Sequence, residues 1–250
     1  MSAASDKTAK PESGTWETIK VVLQALLIAF VLRTFLFQPF NIPSGSMKDT
    51  LLVGDYVFVS KYAYGYSRYS FPFGFPPFSG RILGREPTRG DVIVFKLPRD
   101  NSTDYIKRLI GLPGDRVQVI EGQVFLNGTA VPRVKVDDFI DDENPDDPVR
   151  IARYRETLPN GVSYDVLDQT QFGALDNTQE YVVPPGHYFF MGDNRDNSLD
   201  SRVQSAVGYV PYDNLVGRAE VIFFSINGEP AWKIWTWPWA VRWGRIFTTL

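Results

Sequence analysis

Hydrophobic positions along this chain fall into two regimes, one continuous and one strand-like. The continuous regime is VVLQALLIAFVLRTFLF, Val21 to Phe37, 17 residues broken by Gln24 and Arg33. With Trp16 and Lys20 before it and Phe40 after it, the stretch approaches the roughly 20 residues that a helix needs to cross a bilayer. This predicts one transmembrane helix over 17–38. Arg33 lies one turn from the far end, where its guanidinium can snorkel to the interface. A buried core helix would share this composition. A cleaved signal sequence would be followed by a small-x-small site, whereas this stretch runs straight into FNIPSGSM. The preceding residues 1–16 are small, polar and Pro-containing, and they read as a disordered tail. Lys7, Lys10 and Lys20 face a similar number of cations beyond the stretch, so charge asymmetry leaves its orientation open.

From Leu51 onward the pattern is strand-like. DYVFVSKY, GDVIVFKL, DYIKRLIGL and DRVQVIEGQVFLNG are short, rich in Val, Ile, Phe and Tyr, and separated by Gly, Pro and Asn-Gly signals. EGQVFLNGTAV reads as part of a hairpin meander, and GHYFFMG and AEVIFFSING add strands near the end. No long helical period interrupts them, which predicts a mainly β, antiparallel soluble part. There is no internal repeat.

Three segments stand apart. Tyr62 to Phe78 is packed with aromatics, Gly and Pro, and predicts a loop lying on apolar surface. Asp137 to Asp147 carries seven acids and reads as a solvated surface loop, without the ligand spacing of a calcium site. AWKIWTWPWAVRWGRIF, 231–247, holds five of the six tryptophans with Lys233, Arg242 and Arg245. Clustered Trp with interspersed cations suits a bilayer interface, and a Trp-lined core edge is the alternative.

Composition then narrows the chemistry. A formal net charge of −3 and the lack of a basic stripe argue against a nucleic-acid partner. Without cysteine there is no thiol nucleophile, no Cys-ligated metal and no disulfide. The single histidine, His187, excludes a His-rich metal cage. Hydrolytic chemistry must therefore run on hydroxyls, amines and carboxylates, with no metal and no cofactor expected. A Ser–His–Asp triad would have to use His187, which follows a Pro-Pro-Gly turn at the head of an apolar strand and reads as a strand-edge residue satisfied by backbone. A Ser–Lys dyad is the remaining way to activate a hydroxyl. Its lysine must be neutral, and desolvation supplies that by favouring the uncharged amine.

Two segments meet those needs. Pro43-Ser44-Gly45-Ser46-Met47 follows the apolar stretch, and its small residues let a substrate approach the backbone and leave N–H groups for an oxyanion. In Asp104-Tyr105-Ile106-Lys107-Arg108-Leu109, a strand puts Lys107 on one face with Tyr105 and Leu109, and Ile106 and Arg108 on the other. Taken singly, the first is also an ordinary turn and the second a lysine at a sheet edge.

Together these segments resemble the bacterial type I signal peptidases. FNIPSGSM with TLLVGDYVFVSK is similar to that family's nucleophile box, RGDVIVFK to its central strand, DYIKRLIGLPGD to its lysine box and GDNRDNSLDSR to its last box, in the same order. The resemblance implies an antiparallel β catalytic core over 39–114 and 186–250, with an inserted second β region over 115–185, behind the transmembrane helix. It implies a single-pass enzyme of the bacterial inner membrane, with a periplasmic catalytic domain and a cytoplasmic tail. Its substrates would be secretory precursors at the lipid bilayer, cut after a small-x-small motif.

Residue by residue, the resemblance makes Ser46 the nucleophile and Lys107 the general base. Ser44 matches the hydroxyl that joins the Ser46 N–H in the oxyanion hole, and Ser198 the hydroxyl that orients the lysine. Asp200 and Arg202 match a structural ion pair, and Gly192, Asp193, Asn194 and Arg195 the turn supporting that strand. Phe40, Ile42, Met47, Leu51, Tyr105 and Ile106 match the lining of the substrate pockets. Asp49 stands where the family commonly has Pro, only one span is readable where some members have two, and the second region holds without the cysteines of some relatives. Self-cleaving repressor-type proteases share the dyad but lack a span adjoining the serine. A non-catalytic tethered β module would have no use for both Ser46 and Lys107.

Overall fold

The computed structural model describes residues 14–71, 74, 77–141, 148–170 and 172–250. The tail residues 1–13, the acidic residues 142–147 and four positions of the aromatic segment lie outside the described residues. Helix α1 runs Gly14–Phe35, so it starts three residues before the expected span and ends earlier than Phe37. Its 22 residues reach about 33 Å at about 1.5 Å per residue. It is apolar all round, long and apolar enough to cross a membrane, and only Thr34 along it is buried.

Among the described residues fifteen strands follow: β1 (Phe37–Asn41), β2 (Asp55–Ser60), β3 (Val92–Lys96), β4 (Asp104–Gly111), β5 (Arg116–Ile120), β6 (Gln123–Leu126), β7 (Thr129–Ala130) and β8 (Arg133–Lys135). Then come β9 (Phe139–Asp141), β10 (Val149–Thr157), β11 (Ser163–Asp168), β12 (Tyr181–Val182), β13 (His187–Met191), β14 (Val210–Pro211) and β15 (Leu215–Ser225). The largest sheet has seven strands in the order β1-β2-β15-β3-β4-β13-β14, and every pairing in it is antiparallel. The expected mainly β, antiparallel fold behind one apolar helix is the fold observed. β1 is a correction, because Phe37 opens a strand instead of closing the helix. Pro39 is tolerated there because β1 is an edge strand with no second partner for its missing N–H.

Strands β5 to β12 form two four-stranded sheets behind the large one. Their turns follow local chemistry: Glu121-Gly122 and Asn127-Gly128 all take positive φ, the backbone that a tight two-residue hairpin needs. Part of the expected acidic loop is ordered instead, since Phe139–Asp141 is β9 and pairs with β10. The aromatic segment is likewise built in. Tyr64 is buried and donates its hydroxyl to Asp91 (2.8 Å), and Phe35 of α1 packs edge-on against Tyr66 and Phe71.

The second region does not have a core of its own. Ile110, Phe189 and Met191 from the large sheet share one buried cluster with Val117, Val119, Val124, Leu126 and Val166. A cluster that spans the junction couples the two regions. Calorimetry of the full chain in detergent should therefore show a single unfolding transition for the β part. Phe189→Ala should weaken it as a whole, by about 3–5 kcal/mol. Two separate transitions, with only one moved by the substitution, would contradict a shared core.

Candidate active site

Ser46 sits in a single 3-10 turn, Gly45–Met47, between the end of β1 and the start of β2. At the first turn of such a segment the backbone N–H groups have no partner one turn back, so they remain available as donors. The turn is pinned from the far side by the segment after β13. Asn194 donates its backbone N–H to the Ser46 carbonyl (3.2 Å) and its side-chain amide to the Gly45 carbonyl (3.0 Å). Gly192 is required by this contact, because a Cβ there would lie 2.5 Å from the Ser46 carbonyl oxygen and 2.2 Å from Ser198 Oγ.

Lys107 occupies the middle of β4 and is 3% exposed. Its amine donates to Ser46 Oγ at 2.6 Å and to the Ile106 carbonyl at 2.9 Å, and lies 5.4 Å from the centre of the Tyr105 ring. Burial pushes its pKa down to about 8, against the opposing pull of the Asp200 and Asp193 carboxylates. Ser44 Oγ is 3.4 Å from Ser46 Oγ, on the side of the turn that opens to solvent. A hydroxyl, a desolvated amine and a second hydroxyl with free backbone N–H groups make up the parts of an acyl-transfer site.

The other expected residues fall into two groups. Phe40, Ile42, Tyr105 and Ile106 line a cleft of about 590 Å³ together with Ser44, Ser46 and Lys107. Met47 and Leu51 do not line it. The 3-10 turn aims them inward, where both are fully buried against Val57 and Val59. Val94, Asn197 and Leu199 line the cleft and were not expected to. Ser198 also differs from expectation. Its hydroxyl is packed against the Gly192 backbone beside the Asp200 carboxylate, and makes no hydrogen bond with the Lys107 amine.

The supporting charges form buried pairs. Asp200 accepts from Arg202 Nε (2.9 Å) and Nη2 (2.8 Å) and from the Gly192 N–H (3.0 Å). Burial alone would raise the Asp200 pKa, yet the guanidinium and these bonds hold it below the usual carboxylate range. Asp193 receives Arg108 bidentately at 2.8 and 2.7 Å, and the Arg108 guanidinium stacks 4.1 Å from the Tyr164 ring centre. Arg195 reaches into the second region and pairs with Glu156 of β10. Two further pairs tie the segment after Ser46 to that region, Lys48–Asp141 (2.7 Å) and Asp49–Arg153 (3.0 Å). Arg108, Glu156 and Thr50, which donates to Asp193, were missed in the sequence. The available signal was Arg108 itself, an arginine in an apolar strand facing away from Lys107, which demands a buried partner. His187 is remote from this chemistry, its ring nitrogen 2.9 Å from the Pro185 carbonyl.

Known proteins resemble this chain over most of its length. The signal peptidase family, peptidase S26, matches over residues 15–224. A signal peptidase I of Rickettsia conorii is 41% identical over 265 residues, covering 98% of this chain and 94% of that protein. One from Rickettsia akari is 43% identical over 231 residues, covering 88% and 81%. A crystal structure of a signal peptidase I from Enterococcus faecalis matches at 27% identity, a TM-score of 0.32, and 54% and 97% coverage.

Because folding lowers the Lys107 pKa, its charged form destabilises the fold. Both states bind the proton well below pH 8 and neither does above about 10.5, so the penalty is full near pH 7 and fades across that window. Lys107→Met should unfold at a higher temperature than the unaltered chain at pH 7, and the gap should narrow as pH rises from about 8 to about 10. Equal midpoints at pH 7 would mean that the amine is not desolvated.

Proposed function

The chain belongs to the signal peptidase family, peptidase S26, and on that premise we propose that it cuts signal peptides from exported precursors with Ser46 as nucleophile and Lys107 as general base. As a member of that family it is a serine peptidase. The observation that carries the residue assignment is the 2.6 Å contact between a buried amine and the Ser46 hydroxyl. Neutral Lys107 takes the Ser46 proton as the oxygen attacks the scissile carbonyl. The Ser46 N–H and the Ser44 hydroxyl receive the oxyanion. The protonated amine then hands its proton to the leaving nitrogen, and the neutral amine activates the water that releases the acyl-enzyme. Gly192 to Arg195 and the Asp200–Arg202 pair hold the turn in place.

The substrate backbone has a place to lie. β4 pairs with β3 from Asp104 to Arg108, but with β13 only from Arg108 to Gly111, which leaves the edge at 104–107 open to the cleft. An extended peptide can add a strand there, with side chains alternating into the cleft. Phe40, Ile42, Tyr105 and Ile106 wall it with bulky groups, which supports cleavage after small residues in a small-x-small motif.

The membrane reading rests on two surfaces. α1 serves as the single span, with the catalytic β core over 39–114 and 186–250 on the periplasmic side of the inner membrane. In the tail the polar groups turn inward, with Arg245 on Asp55 (2.7 Å) and Arg242 on the Val53 carbonyl (3.0 Å). Trp232, Trp235, Trp239 and Trp243 are exposed while Trp237 packs on Phe224. That distribution favours a bilayer contact over a core edge.

A radiolabelled precursor incubated with the detergent-solubilised chain should yield the mature product. Ser46→Ala and Lys107→Met should each abolish this with circular dichroism unchanged. Placing Leu for Ala before the cut should slow it by at least about five-fold, since overpacking costs about 1–3 kcal/mol. Cleavage by either variant would remove that residue from the dyad, and equal rates for Ala and Leu would remove the narrow-pocket reading.

The chain lacking residues 1–35 should still float with anionic vesicles. Replacing Trp232, Trp235, Trp239 and Trp243 by Ser should end that flotation. A truncated chain that stays with the protein fraction would return the tail to the core-edge reading.

A further inference from the structure

At the foot of α1 a second cavity of about 830 Å³ adjoins the active-site cleft and shares Phe40 and Asp104 with it. Its walls carry four cations, Arg33 from the last turn of α1 and Lys61, Arg68 and Lys96 from the β domain. We propose that this cavity holds the phosphate of an anionic phospholipid headgroup, from the leaflet that the C-terminal end of α1 reaches.

The charge balance of the site is the main argument. Asp104 is the one carboxylate lining the cavity among the described residues, and Lys96 already takes it at 2.9 Å. Lys61 is 3% exposed, and its amine donates to a neutral group, the Ser70 carbonyl, at 2.6 Å. Burial, followed by the nearby Arg33 charge, pulls the Lys61 pKa down to about 8. Arg33 has no carboxylate partner among the described residues. A buried amine near a guanidinium, with the cavity's one described carboxylate already held by Lys96, is an unfavourable pair, and a bound monoanion would attract both cations.

An independent observation points to the same occupant. Thr34 lines the cavity, is 2% exposed, and its hydroxyl has no hydrogen-bond partner among the described residues. A buried hydroxyl left unpaired is costly, and a phosphate oxygen accepts from it as readily as from the guanidinium beside it. A phosphodiester offers two such oxygens, which suits one guanidinium and one amine approaching from different elements.

Position selects a lipid as the source of the phosphate. The Lys61 N–H donates to the Leu36 carbonyl (2.9 Å) and the Tyr66 hydroxyl to the Phe35 carbonyl (2.8 Å), so the end of α1 is fastened to the cavity wall. With α1 spanning the bilayer, the cavity lies at headgroup depth. Phe30 lines it and continues into the exposed apolar side of α1, along which acyl chains can run. The inference rests on α1 being a span and is independent of the peptidase assignment.

The test is calorimetric titration of the full chain in neutral detergent with three probes: dioctanoyl phosphatidylglycerol, dioctanoylglycerol, and inorganic phosphate. Saturable binding of phosphatidylglycerol is expected, at least about ten-fold tighter than either of the others. Arg33→Gln and Arg68→Gln should each weaken it by at least about ten-fold. Thr34→Val, which keeps the shape and removes only the hydroxyl, should weaken it without lowering the unfolding temperature. Dioctanoylglycerol binding as tightly would make the site an acyl contact, and inorganic phosphate binding as tightly would make it a free-anion site. Unchanged phosphatidylglycerol affinity in Arg33→Gln and Thr34→Val would overturn the proposal outright. Precursor cleavage is not read in this experiment, so its outcome is separate from that of the dyad.

Discussion

The contact between the Lys107 amine and the Ser46 hydroxyl is the interaction around which the rest of the structure is arranged. An amine in water holds its proton at neutral pH and cannot accept another, so its use as a base depends on exclusion of water. β4 supplies that exclusion by placing Lys107 in the middle of a seven-stranded sheet. A 2.6 Å approach also requires that the serine arrive from elsewhere in the chain, and the 3-10 turn after β1 brings it. Both elements are held by the segment from Gly192 to Arg202, which binds the turn through Asn194 and the far face of β4 through Asp193 and Arg108.

Charge inside this support is confined to pairs. Arg108–Asp193, Arg195–Glu156 and Arg202–Asp200 are all buried, and each guanidinium meets its carboxylate through two nitrogens or two oxygens. Buried pairs contribute little net stability, but removing one partner leaves an uncompensated charge and costs about 3–5 kcal/mol. Their effect here is on register. Each pair fixes the segment after β13 against a different neighbour: β4, β10, and its own following turn. The second region thereby acts as a brace for the site. It takes Arg195 through Glu156, Asp49 through Arg153 and Lys48 through Asp141, which ties the segments on either side of the Ser46 turn to it with ion pairs.

Local signals in the sequence were enough for the span, the antiparallel strands and the two short segments bearing Ser46 and Lys107. DYVFVS, VIVFK and DYIKRLIG are short runs rich in β-branched and aromatic residues and became β2, β3 and β4, and the Asn127-Gly128 step became a tight turn. What escaped was non-local. β1 was absorbed into the apolar run because Phe37 continues its composition. β9 lies within the acidic run from Asp137 to Asp147, whose charges read as a solvated loop. Met47 and Leu51 changed sides because a single 3-10 turn reorients every following side chain. The partners of Arg108 and Arg195 lie 85 and 39 positions away, and no pattern within either segment encodes that pairing.

The central claim is that Lys107 works as a neutral base because the fold desolvates it, and titration of that one amine tests it most directly. The full chain would carry lysine labelled with carbon-13 at Cε, with the Lys107 signal identified by its loss in Lys107→Met. Its shift would be followed with pH beside kcat/KM for a precursor. The account predicts a Lys107 midpoint near 8, coincident with the rise in kcat/KM, and the same limb in His187→Ala. A Lys107 signal titrating near its ordinary value of about 10.4, or a rate limb that disappears in His187→Ala, would contradict it.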